Sequence, residues 1–384
     1  MVLLVNLARV VFAPLLEPVR AAFGASATAV GLLATLAWLG SALPRLPTGY
    51  LLTRVPRHFV ILGAGATLSL SPILAATAES LPVLWGSAFL MGISSGIYFI
   101  AAKPLLSDLF PDGIGWAIGV HGTSSQLAAA GAPLFVTAVL LIGDWQEVFY
   151  LMSAAAASAT IVFAWIARRM TIPSGENEDR NFFRAARRQW PVIVGGVVLV
   201  GFVDLAWNGV FNFYVSYLVS EKALTENTAN LLLTVVFAAG VPAFALAGSL
   251  ADRVPHVPLI LGIIGSFAGC VLALTVTTGI YGLAVVSVAL GLAIHGLFPA
   301  TDTYVLDALP EVHRASAYAV FSASIIFMNA LGSVTVGALL DAGFDYTVIF
   351  RSFALITVFL VVVFTGYQLT TGFPTGRTPD SAEA

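Results

Sequence analysis

Of the 384 residues in the chain, 59% are hydrophobic and only 10% charged, and the mean hydropathy is +0.94. That balance excludes an ordinary soluble domain and a nucleic-acid-binding surface, and a net charge of −3 is too small to argue for a strongly charged partner. The charges fall between apolar runs of twenty or more residues, which cross the ~30 Å hydrocarbon core of a bilayer as helices that satisfy their own backbone polar groups.

The pattern predicts an all-α integral membrane protein of twelve spans, at 1–19, 27–50, 58–78, 81–107, 114–140, 146–168, 190–219, 227–251, 257–278, 280–308, 314–340 and 345–370. Cys270, the single cysteine, lies in an apolar run and can form no intrachain disulfide. Met1 is followed at once by apolar sequence without a basic flank, so no cleavable signal peptide is expected, and the first span reads as short. Between the sixth and seventh spans runs a long polar segment, with Pro173, Ser174 and Gly175 followed by an acidic and then a basic stretch from Arg184 to Arg188. It reads as a linker; its basic part could also lie as a short helix on an anionic leaflet. The expected organisation is an N-terminal six-helix bundle at 1–169, a cytoplasmic linker at 170–189, a C-terminal bundle at 190–370 and a tail at 371–384.

An internal repeat underlies that division. The polar turn from Gly49 through Thr53, Arg54, Pro56 and Arg57 recurs 199 residues later as Gly248, Asp252, Arg253, Pro255 and His256. The same offset pairs Gly92 with Gly291, Asp108 with Asp307, and Pro111 with Pro310. It also pairs Met1 with Val200, whereas the seventh apolar run begins near Pro191, so nine residues of the first helix are expected upstream of Met1.

Orientation follows from Arg and Lys. The loops after even-numbered spans, with the tail, carry eleven of them, including Arg54, Arg57, Arg168, Arg169, Arg253 and Arg314; the other side carries Arg20, Lys222 and Arg351. Both termini are therefore expected in the cytoplasm of a multi-pass plasma-membrane protein.

Two six-helix halves with a Gly-x-Leu-x-Asp-Arg loop after the second helix of each resemble the major facilitator superfamily of secondary transporters. The second copy keeps Gly248, Leu250, Asp252 and Arg253; the first keeps Gly49, Leu51, Arg54 and Arg57 but has Thr53 and Pro56 where the family usually has aspartate and glycine. Arginines at an interface seek carboxylates. The expected latches join Arg54 or Arg57 to Asp108, and Arg253 to Asp307; the alternative is that these charges only set topology. The resemblance implies that such contacts hold the cytoplasmic gate shut in the outward-open state. The fifth span, with Gly119, Gly122, Gly131 and Pro133, partly resembles the family's glycine-rich antiporter helix, although close helix packing would equally explain the glycines.

Charges at membrane depth usually face a cavity. The seventh span places Asp204, Asn208 and Asn212 at i, i+4 and i+8, beside Trp207, Phe211 and Tyr214. The first span holds Asn6 and Arg9, the fourth Lys103, the tenth His295 and Asp302, and the eleventh Asn329. The resemblance implies that spans 1, 4, 7 and 10 line the central cavity. Two readings stand: a substrate bridging N-half cations to C-half carboxylates, or ion pairs between the halves, such as Lys103 with Asp302. Arg45, one turn from the loop, is expected to snorkel to the interface. Asp204 is the leading candidate for proton coupling.

Gly92-Ile-Ser94-Ser95-Gly96 matches a hydrolase nucleophile elbow but sits within an apolar helix, where it reads as a packing face. The histidines lack metal-ligand spacing and no Walker sequence occurs, so no enzyme activity, metal, cofactor or ATP drive is expected. The expected function is secondary transport of a small organic solute by alternating access, an organic anion favoured, coupled to protons, in a monomer. The alternatives are a proton-driven drug or metabolite efflux antiporter, and a membrane sensor that keeps the fold without transport.

Overall fold

A computed structural model describes residues 1–110, 114–169, 182–251, 253–309 and 314–373. Its helices are α1 (Val2–Val10), α2 (Phe12–Phe23), α3 (Ala27–Ala42), α4 (Arg45–Leu51), α5 (Arg57–Ala76), α6 (Leu81–Leu109), α7 (Ile114–Leu140), α8 (Trp145–Ala167), α9 (Phe182–Asn212), α10 (Tyr214–Lys222), α11 (Glu226–Ala251), α12 (His256–Val276), α13 (Ile280–Ala308), α14 (Arg314–Asp341) and α15 (Tyr346–Thr370). Eleven stretches are long and apolar enough to cross a membrane, and the bent pair α1–α2 makes a twelfth.

Three of the spans are interrupted, two of them beside a proline. The chain bends by 46° between α1 and α2, just before Pro14, which has no N–H for the carbonyl four residues back. Pro44 separates α3 from α4, and Phe213 leaves helical geometry between α9 and α10. Three of the other helix ends carry local caps. Gly24 takes the left-handed turn that ends α2, the Ser26 hydroxyl accepts from the Ala29 N–H that opens α3, and Glu147 reaches back to the Asp144 N–H before α8. In the basic stretch the described residues from Phe182 are helical and set off from the span by a non-helical Gln189.

The two halves pack alike. In the first, α3 and α5 pack on α6, α5 on α8 and α1 on α7; in the second, α11 and α12 pack on α13, α12 on α15 and α9 on α14. These are the same pairs shifted by the repeat. A side chain on Gly92 would run into the Ala37 carbonyl, and one on Gly291 into the Val236 carbonyl, so both the glycine and the oxygen it admits recur 199 residues on. Gly96 meets α3 similarly and Ser94 donates to the Ala64 carbonyl at 2.6 Å, so the elbow-like pattern serves packing. Gly291→Val should therefore lower the melting temperature of the detergent-purified protein, as overpacking at about 1–3 kcal/mol does, whereas Gly262→Val, with open space beyond it, should not. Between the halves, α3 packs along α14 and α7 along α11.

Candidate functional site

The α3–α14 and α7–α11 seams enclose a cavity of about 290 Å³. Helical geometry explains which residues of α9 reach it. Residues four apart are rotated by about 40° and those three apart by about 60° the other way. Trp207 and Phe211 thus stay close to the face of Asp204, and all three line the cavity. Asn208 and Asn212 drift progressively toward α14.

That drift corrects the expected polar stripe. Asn208 donates to Asn329 Oδ1 at 2.9 Å and accepts from the Ser333 N–H at 3.1 Å, while Asn212 donates back to the Asn208 carbonyl at 2.9 Å. Neither asparagine lines the cavity: Asn208 clamps α9 to α14, where the Gly332 backbone meets α9, while Asn212 bonds back within its own helix. Asn329 belongs to both settings, since it lines the cavity and its amide donates to the Asp204 carbonyl at 3.1 Å.

The inner end of the cavity is built around Arg9, which is 8% exposed. Its guanidinium lies between the Trp38 and Phe99 rings, 4.6 Å from each centroid, and donates to the Asn6 side chain. Asn6 in turn donates to the Ser125 carbonyl at 2.7 Å, which fixes α1 on α7. The charge acting on Arg9 is Arg45, of like sign, and Arg9 Nε has no partner.

Across the cavity stands Asp204, 3% exposed, with Oδ1 unpartnered. Beside it His295 sits in an aromatic box, its ring 5.7 Å from Trp207, 5.6 Å from Phe237 and 6.2 Å from Phe298. His295 Nδ1 is taken by the Gly291 carbonyl at 2.9 Å.

Lys103 and Asp302 occupy the outer part, with Tyr318 facing Asp302. Both line the cavity, yet no ion pair joins them among the described residues. Arg45 does not snorkel to the interface: it lines the cavity, donating to Ser322 Oγ of the other half at 3.0 Å and to the Ser41 carbonyl at 3.2 Å. Burial at Arg9, Asp204 and His295 gives way to exposure at Lys103, so the cavity widens toward the face that carries Arg54, Arg57 and Arg253.

On that face one ion pair falls within the expectation and the other departs from it. Arg57, not Arg54, pairs with Asp108 and also donates to the Pro104 carbonyl at 3.1 Å; Arg54 is exposed and stacks on Tyr50. In the second half Asp307 pairs with His256 Nε2 at 2.9 Å, not with Arg253, which is exposed. His256 is the repeat mate of Arg57, so the two pairs are one contact made twice, between the third and fourth helices of each half. Gly49 is buried in α4 and Gly248 lies in α11, while Asp252 and the 170–181 part of the linker fall outside the described residues. On α7, open space lies beyond Gly119, Gly122 and Gly131, so close packing does not account for them here.

The residues that sequence reasoning missed are Trp38, Phe237, Phe298 and Tyr318, along with Arg45 as a lining group. An aromatic residue in a span that is apolar all round carries no sign of which way it faces.

A pseudo-symmetric pair of helical bundles packed on each other along two seams around a charged cavity is the architecture of a secondary transporter. A sequence profile of the Major Facilitator Superfamily matches residues 1–220 and 197–383, and the chain belongs to that family. It is 26% identical over 367 residues to uncharacterized proteins of Mycobacterium tuberculosis and Mycobacterium bovis, covering 90% of this chain and 86% of theirs. Among solved structures, a D-xylose–proton symporter superposes with a TM-score of 0.79 at 16% identity, covering 98% of this chain and 97% of that one. The nucleoside transporter NupG gives 0.77 at 10% identity, with 95% and 98% covered. A bacterial homologue of the human lysosomal transporter Spinster, inward-facing and occupied, gives 0.77 at 18%, with 96% and 94% covered.

Proposed function

We propose that the chain carries a small organic anion with an apolar part, coupled to protons, by alternating access across the plasma membrane. The arginine-rich face and both termini lie in the cytoplasm, by the bias of basic residues. Residues 170–189 link two bundles, and the chain works as a monomer. The observation that carries the anion is Arg9: a buried guanidinium stacked between two rings, with Arg45 as its charged neighbour and, among the described residues, no carboxylate paired with it. Arg9, Arg45 and Lys103 line the cavity against only Asp204 and Asp302, so an anionic ligand improves the local balance. The box of Trp207, Phe211, Phe237 and Phe298 offers the apolar part a surface. A cavity of about 290 Å³ suits a small solute better than a drug-sized one. The solved neighbours do not select a cargo, since a sugar and a nucleoside transporter fit equally well.

The same aromatic box supports the second reading, export of lipophilic compounds. A thermal-shift screen of purified protein separates the two. Aromatic and aliphatic carboxylates should raise the melting temperature, whereas neutral sugars, nucleosides and lipophilic cations should not. Uptake of the hit compound by proteoliposomes then distinguishes a transporter from a sensor with the same fold; stabilisation without flux selects the sensor.

A further inference from the structure

On the face opposite the arginines, the last residue of α14 reaches into the other half. Asp341 Oδ1 accepts from the Ala27 N–H at 3.0 Å and Oδ2 from the Thr28 N–H at 2.9 Å. These are the first N–H groups of α3, which have no carbonyl partner within their own helix and carry the positive end of its dipole. Ser26 caps the same end by accepting from Ala29, so Asp341 takes the two donors that Ser26 leaves. The helix is thus capped in part from 314 residues away.

Beneath the cap the two helices run close. A side chain on Gly337 would meet the Ala27 carbonyl and Thr28 Cα, and one on Gly31 the Ser333 carbonyl. The Val334 N–H donates to Thr35 Oγ1 at 3.1 Å. Contacts therefore run from Asp341 down to Ser333, closing the cavity away from this face while it widens toward the other. The α7–α11 seam has no counterpart: the repeat puts Ile142, 90% exposed, at the position of Asp341, and Glu226 at that of Ala27.

We propose that Asp341 is the gating residue of this face, a carboxylate that holds the two halves together by capping α3 and releases when they rock apart. The word gate rests on the transporter reading, and naming this face extracellular rests on the proposed orientation; the bond itself rests on neither. Opening to this face requires α3 and α14 to separate at their ends, and the two charge-assisted bonds must then break.

The test reads conformation without substrate or gradient, so it fails independently of the cargo and coupling proposals. Spin labels are placed at Glu79 and Thr278, repeat mates in exposed loops of the two halves on this face, in a Cys270→Ser background. Distances are measured by electron–electron double resonance in nanodiscs. Asp341→Ala should raise the ratio of long to short distances about fivefold, the usual worth of a lost acidic cap. Asp341→Asn, which keeps size and one acceptor oxygen, should fall between. Thr28→Pro removes a donor at a first-turn position that tolerates proline and should shift the ratio the same way. Asp345→Ala, which deletes an exposed neighbouring carboxylate that makes no cap bond, should leave it unchanged. If Asp341→Ala and Asp341→Asn both match the parent, or if Asp345→Ala shifts the ratio as much, Asp341 is not the gate.

Discussion

In Asp204→Asn protein, accumulation driven by a pH gradient is expected to fall to the level of empty liposomes, while downhill exchange continues within a few-fold of the parent. Asp204 is buried, lines the cavity and leaves one carboxylate oxygen without a partner, so its charge is not neutralised by a fixed cation. Moving such a charge through a rearranging low-dielectric site is costly, and taking up a proton removes that cost, which is why acidic residues at membrane depth mark proton pathways. Asparagine keeps the shape and lacks the exchangeable charge. It should therefore uncouple the protein rather than empty it: the mutant still binds and exchanges solute, and its exchange rate no longer varies with pH. Asp302 is the other carboxylate of the cavity, acts on Asp204 as a like charge and faces Tyr318, so Asp302→Asn is the necessary comparison. Undiminished gradient-driven uptake in Asp204→Asn, with loss in Asp302→Asn, transfers the coupling role to Asp302.

The repeat carried most of the fold because it constrains contacts and not just composition. The offset that relates Gly92 to Gly291 also relates Ala37 to Val236, and the structure makes the same helix crossing with both sets. Likewise Arg57–Asp108 and His256–Asp307 are one pair in two copies. The expectation named the right carboxylates. It chose Arg253 because the family loop draws attention to its own arginine, although the residue three positions on opens the next helix and reaches the carboxylate. The breaks at Pro44 and Phe213 lie within runs that hydropathy reads as continuous.

The cavity was most legible where it was charged, although Trp207, Phe211 and Asn329 were expected there too and line it. Arg9, Lys103, Asp204, His295 and Asp302 all line it, because a charge at membrane depth has few other places to go. Uncharged polar groups are less specific: Asn208 finds partners on α14, and Asn212 one on its own helix, as readily as a cavity residue finds water or ligand. Spans 2, 8 and 11 supply Trp38, Phe237 and Tyr318, and nothing in their local sequence separates a cavity-facing ring from a lipid-facing one.

Arg9→Ala is expected to weaken substrate binding tenfold or more, the loss of a charge-assisted hydrogen bond worth about 1.5–3 kcal/mol. The expected competitor for this role, a standing Lys103–Asp302 pair that leaves Arg9 as the one free cation, is not formed, so Lys103 also remains open to the ligand. Arg9 is nevertheless the stronger site. Lys103 stands in the exposed part of the cavity, where water screens it, whereas Arg9 is buried and held in a fixed plane by Trp38 and Phe99. That plane sets two further expectations. Arg9→Lys should recover only part of the affinity, because an ammonium cannot reproduce the stacked, two-pronged donor. Lys103→Ala should cost less than Arg9→Ala and be more sensitive to added salt. Binding is read by the ligand-induced shift in melting temperature, with the ligand-free melting of each variant recorded to separate lost affinity from lost fold. If the screen returns only lipophilic cations, and Arg9→Ala binds them as well as the parent or better, the cavity is an exporter's and the organic-anion reading falls.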